Sequence, residues 1–157
     1  MMRQDDLIAS VNQFLAASPY EACLLLIHQD PPRLHEATRW LSHVFNWPCW
    51  PVGEGQSAAL LDIAPQVRPS AAARWFRDTC AAYRPGPVIV SDIALLFEPS
   101  LELHPLRLLL DVSRQTKLIV AWPGAVDGDR LAYAVPEHGH YHQWPVSDLC
   151  ASCLVTL

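Results

Sequence analysis

The residues with the clearest chemical potential stand at the ends of apolar runs. Val88-Ile89-Val90 leads into Ser91-Asp92. An aspartate at the tip of a buried parallel strand is where nucleotide-hydrolysing proteins place the carboxylate that organises Mg²⁺. An aspartate is also an ordinary polar strand end, and the residue types alone leave both readings open for Asp92. In a hydrolase the next residue is often a water-activating glutamate; here Ile93 and Ala94 follow.

A carboxylate of that kind needs a phosphate site beside it. Such a site uses glycines, so that backbone N–H groups can wrap the phosphates, a lysine for their charge, and Ser or Thr for Mg²⁺. The segment after the apolar run 22–28 reads Gln29-Asp30-Pro31-Pro32-Arg33, with no glycine and no lysine. Asp30 would set a negative charge beside a phosphate, and each proline removes a backbone donor. The single lysine of the chain, Lys117, lies elsewhere. Gln29, Asp30 and Arg33 are still the residues placed to meet a ligand there. Trp122, at the exit of a third apolar run, is a candidate to stack on a base or pack against a partner.

Two further groups have chemistry of their own. His138, His140 and His142 alternate, and Cys150 and Cys153 follow, a nitrogen and sulfur set able to hold Zn²⁺. A single CxxC does not make a four-ligand site, and a surface histidine cluster is the plainer reading. Arg107 and Arg114 fall seven residues apart on an expected helix, near one face. Arginines at a subunit boundary can serve a neighbour's phosphate site or pair with its carboxylates; on a solvated helix face they form ordinary ion pairs. No Ser-His-Asp order or activated cysteine supports nucleophilic catalysis.

The elements that must position these groups can be read from periodicity. Leu7, Ile8, Val11, Phe14 and Leu15 mark one face of a helix whose first turn holds Asp5 and Asp6. Residues 22–28 are a continuous apolar run too short for a helix, which predicts a buried strand. A helix over 33–45, a short edge strand near 47–53 and a short helix or loop near 56–64 follow. Next come a helix over 70–84 opened by Ser70, a strand over 87–92, a helix over 104–115 and a strand over 116–122. Segments 130–136 and 140–146 read as short extended pieces. Helices alternating with continuous apolar strands predict an α/β fold, with a mostly parallel sheet of four or five strands covered on both faces. In such a sheet ligands collect beyond the carboxyl ends of the strands, which is where His28, Asp92 and Trp122 fall.

The 157 residues suit one domain, 1–157, with a sizeable core. The net charge of −5 argues against a broad basic face for DNA or RNA. No apolar run approaches the roughly 20 residues of a membrane-spanning helix. The opening residues lack the apolar core of a signal peptide, so a cytoplasmic protein with its five cysteines as reduced thiols is expected.

The stretch from Val88 onward contains "LFEPSL" (96–101), "HPLRLL" (104–109), "SR" (113–114), "AWPG" (121–124) and "LAYAVPEH" (131–138). In this order and spacing it resembles the small P-loop-containing proteins of BREX bacteriophage-defence systems, the BrxF family. The resemblance is close over about a third of the chain. It implies a three-layer P-loop NTPase-like core, ATP and Mg²⁺ as cofactors, and work alongside other BREX defence proteins or copies of itself. Asp92 matches the family's strand-end aspartate; the phosphate loop, aligned with 28–35, does not match. The expectation is therefore an accessory component with a degenerate nucleotide site, acting through protein contacts to which Arg107 and Arg114 contribute. The alternatives are an ATPase with an unconventional loop, and a metal-stabilised interaction or DNA-binding module.

Overall fold

The computed structural model describes residues 2–134 and 142–157. In chain order it contains α1 (Gln4–Ala17), β1 (Cys23–His28), α2 (Pro31–Phe45), β2 (Cys49–Pro51), α3 (Val52–Leu60) and α4 (Arg68–Ala81). There follow β3 (Val88–Ser91), α5 (Pro105–Val112), β4 (Leu118–Asp127), β5 (Arg130–Tyr133), β6 (His142–Pro145) and β7 (Leu154–Thr156).

Five strands form one sheet in the order β2-β3-β4-β1-β7, every neighbouring pair being parallel. Strands buried on both faces need apolar residues at every position, and β1 is buried at its first five. Alternate side chains then serve opposite layers. Leu24, Leu26, Ile89, Ile119 and Ala121 pack under Leu7, Val11 and Phe14 of α1 and Leu34 and Leu41 of α2. Leu25, Ile27, Val88, Val90, Leu118 and Val120 pack under Phe76 and Cys80 of α4 and Leu106 and Leu109 of α5. The result is a three-layer α/β core.

The structure departs from the sequence expectations in four places. The strand expected to stop at residue 122 continues to Asp127, and its far half pairs antiparallel with β5, which pairs with β6. This makes a small wing beyond the carboxyl end of the sheet. Pro123-Gly124 reads as a turn, yet Gly124 is there because the Ala132 backbone crosses it: a Cβ would lie 2.9 Å from the Ala132 carbonyl carbon. Secondly, β7 was not anticipated; it pairs with Leu25–Ile27 of β1 and closes the far side of the sheet.

Thirdly, Ser70 does not open α4. The helix starts at Arg68, with Pro69 in its first turn, where a missing N–H costs nothing; the Ser70 hydroxyl donates to the Val67 carbonyl at 3.1 Å. Lastly, the five cysteines are not all reduced thiols. Cys150 and Cys153 form a disulfide, while Cys23, Cys49 and Cys80 are free.

Candidate functional site

At the carboxyl ends of β1, β3 and β4 the sheet opens into a cavity of about 690 Å³. One wall is α2, through Pro31, Leu34, His35, Thr38 and Arg39; the other is Ser91 to Ala94, with Ala121 and Pro123 of β4 behind and Tyr133 and Ala134 of the wing above. Its size and mostly apolar lining are those of a small-molecule site.

The floor nearest β1 offers few free backbone donors. The Asp30 N–H donates to Nδ1 of His28 at 2.9 Å. Pro31 and Pro32 have no N–H. The N–H groups of Arg33 and Leu34 both donate to the Asp30 carbonyl, at 3.1 and 3.3 Å. From Asp30 to Leu34 every backbone donor is therefore absent or engaged, at the helix start where an anion site needs them free.

Asp92 stands at the tip of β3, as the sequence suggests, with an exposed side chain. It lines both the main cavity and a shallower one shared with Gly53, Glu54 and Glu98. Among the described residues no hydrogen bond or ion pair engages its carboxylate. The carboxylate instead lies against Gly53 in the first turn of α3: a Cβ on Gly53 would sit 2.8 Å from Asp92 Cγ.

Backbone strain gathers at the same place. Five non-glycine residues among those described have positive φ. Ser18, Asn46 and Glu102 close α1, α2 and the turn Pro99–Leu101 as left-handed caps. Asp92 (φ 54) and Ala134 (φ 60) cap nothing, and both line the main cavity. For alanine this region costs about 1–2 kcal/mol; such outliers persist where the surroundings hold them, often at ligand sites.

Of the other residues the sequence singled out for the crevice, Gln29 lines the cavity. Asp30 sits at the start of α2 without a side-chain cap bond. Arg33 turns into a separate groove with Arg3, Glu36 and Trp40, between α1 and α2. Trp122 is placed away from the cavity altogether: it is fully buried, and its indole N–H donates to the Ala132 carbonyl at 2.9 Å. It meets Phe97, Tyr133 and Trp144 edge-on, so it builds the core of the wing and offers no open face for stacking. Tyr133 stacks flat on Phe97 with centroids 3.5 Å apart, and burial holds its phenol above the ordinary range, neutral.

Arg107 and Arg114 lie at the opposite end of the sheet. Both reach Glu21, just before β1, Arg107 by a close ion pair and Arg114 at 3.3 Å. Both also pair with Asp111, at 3.1 and 3.6 Å. The Arg114 guanidinium lies 5.4 Å from the ring centre of Tyr20, which is 77% exposed. Half-exposed pairs of this kind contribute at most about 1 kcal/mol each.

Of the proposed metal ligands, the described ones (His142, Cys150 and Cys153) form no ion site. His138 and His140 lie outside the described residues. His142 is exposed on β6, its ring 4.6 Å from that of Trp144, and the disulfide occupies the Cys150 and Cys153 sulfurs. Among the described residues no three of His, Cys, Asp or Glu are grouped to hold an ion.

Sequence reasoning missed Gly53, Arg39, Ala134 and Tyr20. A glycine in the first turn after a strand was a usable signal for Gly53; nothing in the sequence pointed to Arg39 or Ala134. No family model, curated protein or solved structure matches the chain.

Proposed function

We propose that this chain is a BrxF-like accessory component of a BREX-type antiphage system: a P-loop NTPase-like domain that has lost its phosphate site and acts by assembling with itself or with other defence proteins. The supporting observation is the pairing of a retained strand-end carboxylate with a disabled phosphate floor. Asp92 and the loop after β1 lie at the same end of the sheet and line one cavity, yet from Asp30 to Leu34 that loop has no free N–H. No backbone N–H of that loop is free to replace a triphosphate's hydration, and catalysis is absent in this reading. The parallel five-stranded order, with helices on both faces, is compatible with such a core.

The partner contact is assigned to the far end of the sheet, where Tyr20, Arg107 and Arg114 form one exposed patch of the residue types enriched at interface hot spots. Glu21 and Asp111 hold the two guanidinium groups in place. The test is co-expression with the products of adjacent genes, followed by size-exclusion chromatography. The reading expects a co-eluting complex that Tyr20→Ala together with Arg114→Glu dissolves. Neighbouring genes encoding no methyltransferase, large ATPase or alkaline-phosphatase-like protein would remove its BREX content.

A further inference from the structure

The main cavity is bipolar. Its walls are apolar, through Leu34, Ile93, Ala94 and Ala121, but two opposite formal charges enter it from different elements. Asp92 comes from the tip of β3, and Arg39 from the third turn of α2, with His35 one turn before it. Neither Asp92 nor Arg39 has an ion-pair partner among the described residues. The carboxylate is held by a left-handed backbone and by the close approach of Gly53, and Arg39 projects from a regular helix. The Asp92 carboxylate is thus positioned before any ligand arrives, which lowers the ordering cost of binding, while the exposed Arg39 guanidinium is free to swing onto a carboxylate.

Resting on the reading that phosphate no longer fits here, we infer that the cavity binds a small, elongated zwitterion: a largely apolar body with a cationic nitrogen at one end and a carboxylate at the other. The nitrogen pairs with Asp92. The carboxylate meets the planar fork of Arg39, whose geometry favours two parallel hydrogen bonds to such a group. The body lies on Leu34, Ile93 and Ala121. A purely anionic ligand would meet the Asp92 charge without backbone donors to offset it, and a purely cationic one would leave Arg39 unpaired.

Calorimetric titration of the whole protein with 4-(aminomethyl)benzoate, benzylamine and benzoate tests this. The zwitterion is expected to bind with a Kd of about 1 mM or lower, about fivefold tighter than either singly charged probe. Asp92→Asn should reduce its affinity to that of benzoate, and Arg39→Gln to that of benzylamine. Asparagine suits a positive φ and glutamine replaces an exposed side chain, so both variants should keep the far-ultraviolet dichroism of the parent. No saturable binding of 4-(aminomethyl)benzoate, or binding indifferent to both substitutions, overturns the inference. ATP·Mg²⁺ is run as a separate arm. If neither it nor the zwitterion binds, only the present inference fails; if ATP·Mg²⁺ binds tightly, the reading of a lost phosphate site fails whether or not the zwitterion binds.

Discussion

The carboxylate of Asp92 rests on the α-carbon of Gly53. The gap admits a hydrogen and nothing larger, since a Cβ on Gly53 would lie 2.8 Å from Asp92 Cγ. An element edge (β2 into α3) therefore sets the direction of a side chain on β3. Gly53→Ala should push the carboxylate aside while leaving the fold intact. The helix gains about 1 kcal/mol from alanine and loses a similar amount to the displaced side chain. Thermal melting should show a midpoint within about 4 °C of the parent. Titration with 4-(aminomethyl)benzoate should nonetheless show the same loss as Asp92→Asn. Unchanged affinity in Gly53→Ala would mean that Gly53 does not position Asp92.

Gln56 is wholly buried on α3. Its amide N–H donates to the Ala72 carbonyl at 3.4 Å, and its Oε1 has no partner. An orphaned buried acceptor costs about 1–3 kcal/mol, more than one long hydrogen bond returns. Gln56→Met, similar in volume, should raise stability by about 1 kcal/mol, which is about 2–4 °C in the melting midpoint. A fall in the midpoint would show that the amide is better satisfied than its contacts indicate.

Most of the sheet was legible in the sequence. Runs such as 22–27 are apolar at every position because both faces are covered. In the wing, β5 and β6 were legible as short extended pieces, whereas the far half of β4 was not, because Pro123-Gly124 has turn chemistry while serving as a strand that another backbone crosses. Trp122 illustrates a signal available but unused. It shares parity with Leu118 and Val120, which face α4 and α5, whereas Ala121 and Pro123 face the cavity. The pairing of Arg107 with Glu21 joins residues 86 apart and leaves no local trace. The left-handed backbone of Asp92 and Ala134 is equally silent, since neither residue type demands it.

Trp122 therefore gives a clean separation of roles. Trp122→Ala removes a side chain packed among Phe97, Tyr133 and Trp144 and should destabilise by about 3–5 kcal/mol. Trp122→Phe keeps most of the packing but leaves the Ala132 carbonyl without its indole donor. Chemical denaturation should rank the parent, then Phe, then Ala. The Phe variant should bind 4-(aminomethyl)benzoate as the parent does; a selective loss of binding would place the indole in the site.

Alkaline pH should weaken the fold through its buried thiols. Burial pushes Cys23 far up, with the nearby Cys80 and Glu21 adding to it. Burial also raises Cys80, outweighing the Thr116 hydrogen bond and Arg84, which act the other way. In the unfolded chain both thiols ionise near their ordinary value of 9.0, while in the folded chain they keep their protons. The folded state then binds more protons, so stability falls as pH rises above about 9. Urea midpoints should be flat up to about pH 8 and drop by about pH 10, with a shallower drop in Cys23→Ala, Cys80→Ala. Tyr133 adds a loss of the same sign at higher pH. A midpoint that rises with pH in this range would contradict the assignment.

The proposed function requires that the cavity lined by Asp92, whose β1 loop has no free backbone N–H from Asp30 to Leu34, does not hold a nucleotide. Isothermal titration of the purified chain with ATP·Mg²⁺ tests it most directly. The account predicts no saturable heat up to about 1 mM nucleotide, in the parent and in Asp92→Ala alike. Micromolar binding in the parent that disappears in Asp92→Ala would contradict it.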